Sequence, residues 1–255
     1  MDLDPALAAL RPLGGFSVLR TLLPPAGDPA TPSPGRLPTL ADAYGNRSSD
    51  VYGDPLIFRV RKVAESVRTP EERVAASLAH QSLASRLWSA ALGCAALYGT
   101  LPDLDPALLR WDPDASAPDD LWLTDVRPRP VRELAATVLD AHLEPLAAAL
   151  HTRYGVAVGL LRGNAGSALA GSARQLSLWA RQSGRSDVAA TVRTLTATLF
   201  AHPLLTDTGT FTGPRFRRRS CCLYYRVPGG GLCGDCCLDA LPRAPRLGDH
   251  EGTGR

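Results

Sequence analysis

Residues 69–102, TPEERVAASLAHQSLASRLWSAALGCAALYGTLP, read as one long buried helix, and the remainder of the chain is interpreted around it. Thr69 followed by Pro70, Glu71 and Glu72 is a helix start: a hydroxyl cap, a proline at the first position and a glutamate three residues after the cap. Val74 and Leu78, then Leu83, Leu87, Ala91 and Cys94, recur at three- and four-residue intervals, as a core-facing stripe requires. Cys94 is therefore expected in the core. The most apolar part, residues 87–101, is shorter than the ~20 residues needed to cross a bilayer, so no transmembrane segment is expected.

Upstream, VYGDPLIFRVRKVAES (residues 51–66) carries a β-like run at residues 56–60, and PPAGDPATPSPGRLP (residues 24–38) holds too many prolines for anything but an extended loop. Downstream, residues 102–120 are rich in proline and aspartate and read as a loop. Leu121, Trp122, Leu123 and Val126 suggest a second short strand. Helical periodicity resumes at Val131 and continues to about Tyr154, with Pro145 expected to kink or divide it. The next helical stretch carries Gly155, Gly159, Gly163, Gly166 and Gly171, a density that lets another part of the chain approach closely or lets the helix bend around a ligand. Ser186 and Asp187 open a last helix that Pro203 stops. The fold class that follows is mainly α, an α+β chain with a few short strands, in which a helical body precedes a small cysteine-rich module. Its segments are 1–68 (proline-rich loop and short strand), 69–210 (helical body), 211–240 (cysteine module) and 241–255 (disordered tail).

A chain of 255 residues, 45% hydrophobic, can bury a substantial core. The net charge of +3 is too small to imply nucleic-acid binding. Lys62 is the sole lysine and Ile57 the sole isoleucine, so abundant arginine reflects codon bias before it reflects function. The N-terminus has acidic residues where a signal peptide has basic ones, which points to a cytoplasmic protein.

Five of the six cysteines, Cys221, Cys222, Cys233, Cys236 and Cys237, fall in CCLYYRVPGGGLCGDCC (residues 221–237). In a reducing compartment thiols gathered this closely bind a metal or an iron–sulfur cluster more often than they form disulfides. The order is Cys-Cys, ten residues, Cys, two residues, Cys, whereas common zinc ribbons carry two separated Cys-x-x-Cys knuckles. Adjacent Cys221 and Cys222 can both ligate only where the backbone bends. Arg215, Arg217, Arg218 and Arg219 precede the first pair and Arg226 follows it. Gly229, Gly230 and Gly231 free the backbone to aim N–H groups inward. Such a module is suited to holding negative charge.

The segment RRRSCCLYYRVPGGGLCGDC resembles the C-terminal segment of the FhuF-type ferric-siderophore reductases. Residues 76–102 and LLRGNAGSAL (residues 160–169) are similar to the helical body of actinobacterial members. The resemblance implies that Cys221, Cys222, Cys233 and Cys236 hold a [2Fe-2S] cluster. Cys237 is additional and stands within reach as a substitute for Cys236. It further implies an oxidoreductase that takes one electron from a ferredoxin-like donor and passes it to a ferric siderophore, most simply of hydroxamate type, releasing Fe(II). An acidic donor would suit the arginines, and the protein could rest against the inner membrane face. Arg217, Arg218, Arg219 and Arg226 are candidates for tuning the cluster or docking a partner, as against a solvated basic surface. His80 and Asn164 are candidates for a substrate pocket, as against core packing or capping.

Gly229–Gly234 fits the pattern G-x-G-x-x-G, but between cysteines it lacks the strand and helix of a dinucleotide site. Two other functional classes fit the residues: a zinc-stabilised, non-catalytic binding protein presenting its arginines, and an iron–sulfur electron carrier or redox sensor without a siderophore site.

Overall fold

The computed structural model describes residues 7, 10–21, 36–46, 48 and 50–242. Most of the proline-rich stretch at 24–38, and the tail beyond residue 242, lie outside the described residues. The chain is mainly helical with a few short strands: β1 (Arg20–Thr21), α1 (Leu40–Gly45), α2 (Pro55–Ser66), α3 (Glu72–Tyr98), β2 (Thr100–Pro102), β3 (Leu109–Trp111), β4 (Leu121–Leu123) and β5 (Pro128–Pro130). A π-helical segment (Ala136–Leu143) leads into α4 (Glu144–Tyr154), then α5 (Val158–Gln182), α6 (Ser186–Phe200) and a hairpin of β6 (Gly209–Thr212) and β7 (Arg215–Arg218).

The helix α3 is the axis of the core. Trp88, Leu92, Cys94 and Ala76 are fully buried, and its buried residues lie on every face between Val74 and Ala95. A helix apolar all round must be covered all round. Its most extensive contact is with α5, while α2 and α6 cover other faces. Strands β1 and β4 pair in parallel, β3 pairs antiparallel with β4, and β2 pairs antiparallel with β5, forming small patches beside the helices.

A buried ion pair ties the N-terminal turn to this axis. Arg86 on α3, 1% exposed, donates from Nε to Asp120 Oδ1 at 2.8 Å and from Nη1 to the Phe16 carbonyl. The turn at residues 14–17 is thereby fixed against α3, where it forms one wall of the cavity described below.

Two expectations need correction. Residues 56–60 are helical, within α2, because Asp54 caps the helix: its Oδ1 accepts from the N–H groups of Leu56 and Ile57 at 2.9 and 3.1 Å, and Pro55 occupies the first position. Cap and proline together outweigh the β-branched Ile57 and Val60. Thr69 is not the cap of α3. The helix begins at Glu72 with Glu71 at the cap position and no side-chain cap bond, while Thr69 Oγ1 accepts from Glu71 N–H at 3.3 Å one turn earlier. Pro145 divides its helix as expected, by a change of hydrogen-bond register: the π segment ends at Leu143, and Pro145 sits in the first turn of α4, where a missing N–H leaves no bond unmade. The strand at 121–123 and the helix opening at Ser186 are found as expected.

Asp120→Ala would leave the Arg86 guanidinium buried without its anion. Urea unfolding should show a loss of about 3–5 kcal/mol, and a loss below 1 kcal/mol would contradict a buried pair in this role.

Candidate metal centre

The hairpin that leads into the cysteines is set by strand alternation. In β7, Arg215 and Arg217 face solvent, and Phe216 and Arg218 turn inward at 3% and 2% exposure. Phe216 packs with Phe200 and Phe211, ring centroids 5.1–5.2 Å away, which seats the hairpin on the end of α6. The module beyond it lies on α3 and α5. A Cβ on Gly163 would overlap Ser220 Oγ, and one on Gly166 would overlap Thr208 Oγ1. The glycines of α5 thus admit a close approach, made by side chains flanking the cysteine module.

All six cysteines are free thiols. In the module two sulfurs, one in each loop, accept the backbone N–H of the residue two positions on. Leu223 N–H donates to Cys221 Sγ at 3.3 Å and Leu238 N–H to Cys236 Sγ at 3.4 Å. Tyr224 N–H lies toward Cys222 and Asp235 N–H toward Cys233, favouring the thiolates without well-formed hydrogen bonds. Among the described residues no such bond reaches Cys237. Leu223 adopts a left-handed conformation, φ 69°, so the chain turns directly after the adjacent pair. That conformation costs a non-glycine residue about 1–3 kcal/mol, and here it is what turns the N–H groups of Leu223 and Tyr224 back toward the two sulfurs. Gly229–Gly231 do not supply these donors, contrary to expectation. Gly230 N–H bonds the Val227 carbonyl at 2.7 Å instead.

Cys222 and Cys233 face one another across the two loops. The neighbouring Cys233 thiol pulls Cys222 down to about 6, helped by the Tyr224 N–H and the Arg218 charge. The same neighbour, together with burial, pushes Cys233 up. Burial raises Cys221 against the opposing Leu223 N–H.

Arg218 belongs to a buried polar chain between module and body. Its Nη2 donates to Asn164 Oδ1 at 2.5 Å and its Nη1 to Gln81 Oε1 at 3.2 Å. Asn164 Nδ2 donates to the Ser77 carbonyl at 2.8 Å and lies 3.0 Å from Ser77 Oγ, which donates to the Cys222 carbonyl at 2.8 Å. On the second loop, Asp235 accepts from Ser167 Oγ at 2.7 Å and from Arg174 Nη1 at 3.4 Å.

This donor set fits an anionic cluster. Four thiols lie in two loops, each loop aims a bonded backbone N–H at one sulfur, and a buried guanidinium with an unpartnered Nε belongs to the same module. Among the described residues no three His, Cys, Asp or Glu side chains are gathered around one point. A [2Fe-2S] centre distributes its thiolates over two irons. Cysteines gathered in two loops with N–H groups on sulfur suit a thiolate-bound iron–sulfur centre. Residues 218–238 match the family model of the FhuF 2Fe-2S C-terminal domain, and the cofactor of this module is a [2Fe-2S] cluster. No curated protein matches the chain.

The other candidates are dispersed. Arg217 is exposed and donates to the Cys237 carbonyl at 3.0 Å and to Asp239 at 2.7 Å. Arg219 pairs with Asp207 at 2.8 Å and Arg226 with Glu71 at 2.9 Å. Asn164 is fully buried as a strut between Arg218 and Ser77. His80, 1% exposed, lines a cavity of about 10 Å³ with Leu139, Leu143 and Leu161. Burial holds its imidazole down to about 3, with Arg218 adding to the effect, and it faces the Leu143 carbonyl without a well-formed hydrogen bond. Cys94 is buried in α3, where burial pushes its thiol up to about 12.

Sequence reasoning missed Ser77, Gln81, Ser167, Arg174 and Asp235. The signal for Asp235 was present: a carboxylate between two thiolates needs a cation of its own, and Arg174 supplies it. A larger cavity, about 510 Å³, opens against this loop. Its walls are the turn at residues 14–17, α3, α5 and the loop from Cys233 to Asp235, with Gln81, Ser85, Ser89 and Gln175 among the lining.

We propose Cys221, Cys222, Cys233 and Cys236 as the ligands. Serine at any of the four should lower bound iron well below two per chain, and Cys237→Ser should retain it; iron loss in Cys237→Ser with retention in Cys236→Ser would reverse the assignment. His80 must take up a proton when the chain unfolds below its ordinary value of 6.5. Its contribution to stability is therefore whole above 6.5 and is lost as pH falls toward 3, amounting to about 3 kcal/mol by pH 4. Denaturant unfolding should show His80→Leu losing less stability over that interval than the parent chain, and equal losses would contradict a buried neutral imidazole.

Proposed function

We propose that the chain is a ferric-siderophore reductase that passes one electron to an Fe(III) chelate of hydroxamate type and releases Fe(II) in the cytoplasm. The observation that carries this reading is the position of the 510 Å³ cavity, whose wall includes Cys233, Gly234 and Asp235. An electron carrier needs an exposed cluster edge. A reductase needs, in addition, a place to hold the chelate against it.

A [2Fe-2S] cluster supplies one-electron transfer. The chain's own part is to hold the chelate and to keep the thiolates in place. The cavity lining supports a neutral chelate. Gln81, Ser85, Ser89 and Gln175 offer uncharged hydrogen-bond partners, and Arg174 and Asp235, the charged pair at the wall, offset each other. A ferric tris-hydroxamate without further ionised groups carries no net charge, whereas a tris-catecholate carries three negative charges. Reduction then lowers the affinity of the hard oxygen ligands for iron, which is release. The electron comes from a ferredoxin-like donor in this account. Arg215, exposed on the outer face of β7, has no ion-pair partner among the described residues and is available to an acidic partner. No helix among the described residues is long and apolar enough to cross a membrane, and any contact with the inner membrane face would be peripheral.

Gly171 gives a direct test. It lines the cavity, and a Cβ there meets only Arg174 Nη2, at 3.9 Å, so a larger side chain can project into the space without displacing the core. With chemically reduced protein and ferrioxamine E, a cyclic ferric tris-hydroxamate with no further ionised group, the parent chain should be reoxidised and yield Fe(II). Gly171→Phe should be slower by about tenfold or more, the loss of ~1.4 kcal/mol of binding, while ferricyanide oxidises both proteins equally. A reduced protein that transfers no electron to any ferric hydroxamate would contradict the proposal.

A further inference from the structure

Arg218 is a buried cation with no anion paired to it among the described residues. It is 2% exposed, and its three hydrogen-bond acceptors are neutral: Gln81 Oε1, Asn164 Oδ1 and, at 3.4 Å, the Leu160 carbonyl. Its Nε has no partner. The arginines around it are differently placed, since Arg217, Arg219, Arg226 and Arg174 each hold a carboxylate. Asp235 bonds Arg218 through its backbone carbonyl, which accepts from Arg218 N–H at 3.0 Å, while its carboxylate is committed to Ser167 and Arg174. A buried guanidinium left in this state is costly unless a negative charge stands opposite.

We propose that Arg218 is a positioning residue that supplies the cluster's counter-charge, raising its reduction potential and making docking of the module on α3 and α5 depend on cluster loading. Three observations converge on this. Among the described residues no carboxylate bonds the Arg218 side chain, and its unpartnered Nε is left buried on the strand that leads into the cysteines. Asn164 and Ser77 link the guanidinium to the Cys222 carbonyl, so its position is fixed relative to the first cysteine pair. With four thiolate ligands the centre has a charge of about −2 when oxidised and −3 when reduced. A fixed positive charge in a water-poor site stabilises the second state more than the first. Without the cluster the same charge is uncompensated, which weakens the seat of the module. The inference rests on the [2Fe-2S] cofactor and is independent of the ferric-chelate reading, so either can fail alone.

The test is a potentiometric titration of the loaded protein, followed by visible absorption and electron paramagnetic resonance. Arg218→Met should move the reduction equilibrium about tenfold toward the oxidised state, ~59 mV for one electron. Asn164→Asp, which keeps the side-chain volume and places a carboxylate on the guanidinium, should do the same. Arg218→Lys should retain most of the parent potential. Melting of the two forms supplies a reading that packing alone would not give: Arg218→Met should melt higher than the parent as apoprotein and no higher when loaded. Should Arg218→Met not hold a cluster, Asn164→Asp carries the potential measurement. Unchanged potentials in Asn164→Asp and in any loaded Arg218→Met, or equal destabilisation of apo and loaded forms by Arg218→Met, would overturn the proposal.

Discussion

The seat of the cysteine module on the helical body depends on one buried polar chain, from Arg218 through Asn164 and Ser77 to the Cys222 carbonyl. Such groups are removed from water at a cost that only complete hydrogen bonding offsets. Each member fixes the next: α5 presents Asn164, α3 presents Ser77, and β7 presents Arg218 by strand alternation. The first cysteine pair is thereby held relative to two core helices. The second loop is held separately, by Ser167 and Arg174 on Asp235.

This arrangement explains the composition of α5. Asn164 can reach Ser77 only where the two helices lie close, and the module can reach Asn164 only where α5 lacks side chains. Gly163 and Gly166 clear that path for Ser220 and Thr208. Beyond them, Ser167, Ala168 and Gly171 leave space unfilled, and the cavity against Cys233 is the result. Small residues close the joint at one end of this stretch of helix and open a binding space further along.

Much of this was legible in the sequence. The period of α3, the division at Pro145, the cysteine cluster and the close approach at the α5 glycines all follow from local chemistry. The α2 helix was missed because Leu56, Ile57, Phe58 and Val60 look like a strand when Asp54 and Pro55 are not weighed as a cap. The five arginines near the cysteines were visible as a group. Which of them is buried depends on the phase of β7, where RFRR alternates out, in, out, in. Asn164 and His80 were singled out for the right reason, as polar groups in apolar helices, yet burial is a tertiary property: one became a strut and the other a neutral core imidazole. The cavity could not have been read, because its walls come from four segments far apart in the chain.

Everything proposed for the module depends on four of its five clustered thiols holding an electron-transferring iron–sulfur cluster. The most direct test is the visible absorption spectrum of anaerobically purified protein before and after dithionite, with iron, sulfide and zinc measured on the same sample. The account predicts a brown protein with about two irons and two sulfides per chain that bleaches on reduction. A colourless protein holding one tightly bound zinc would contradict it.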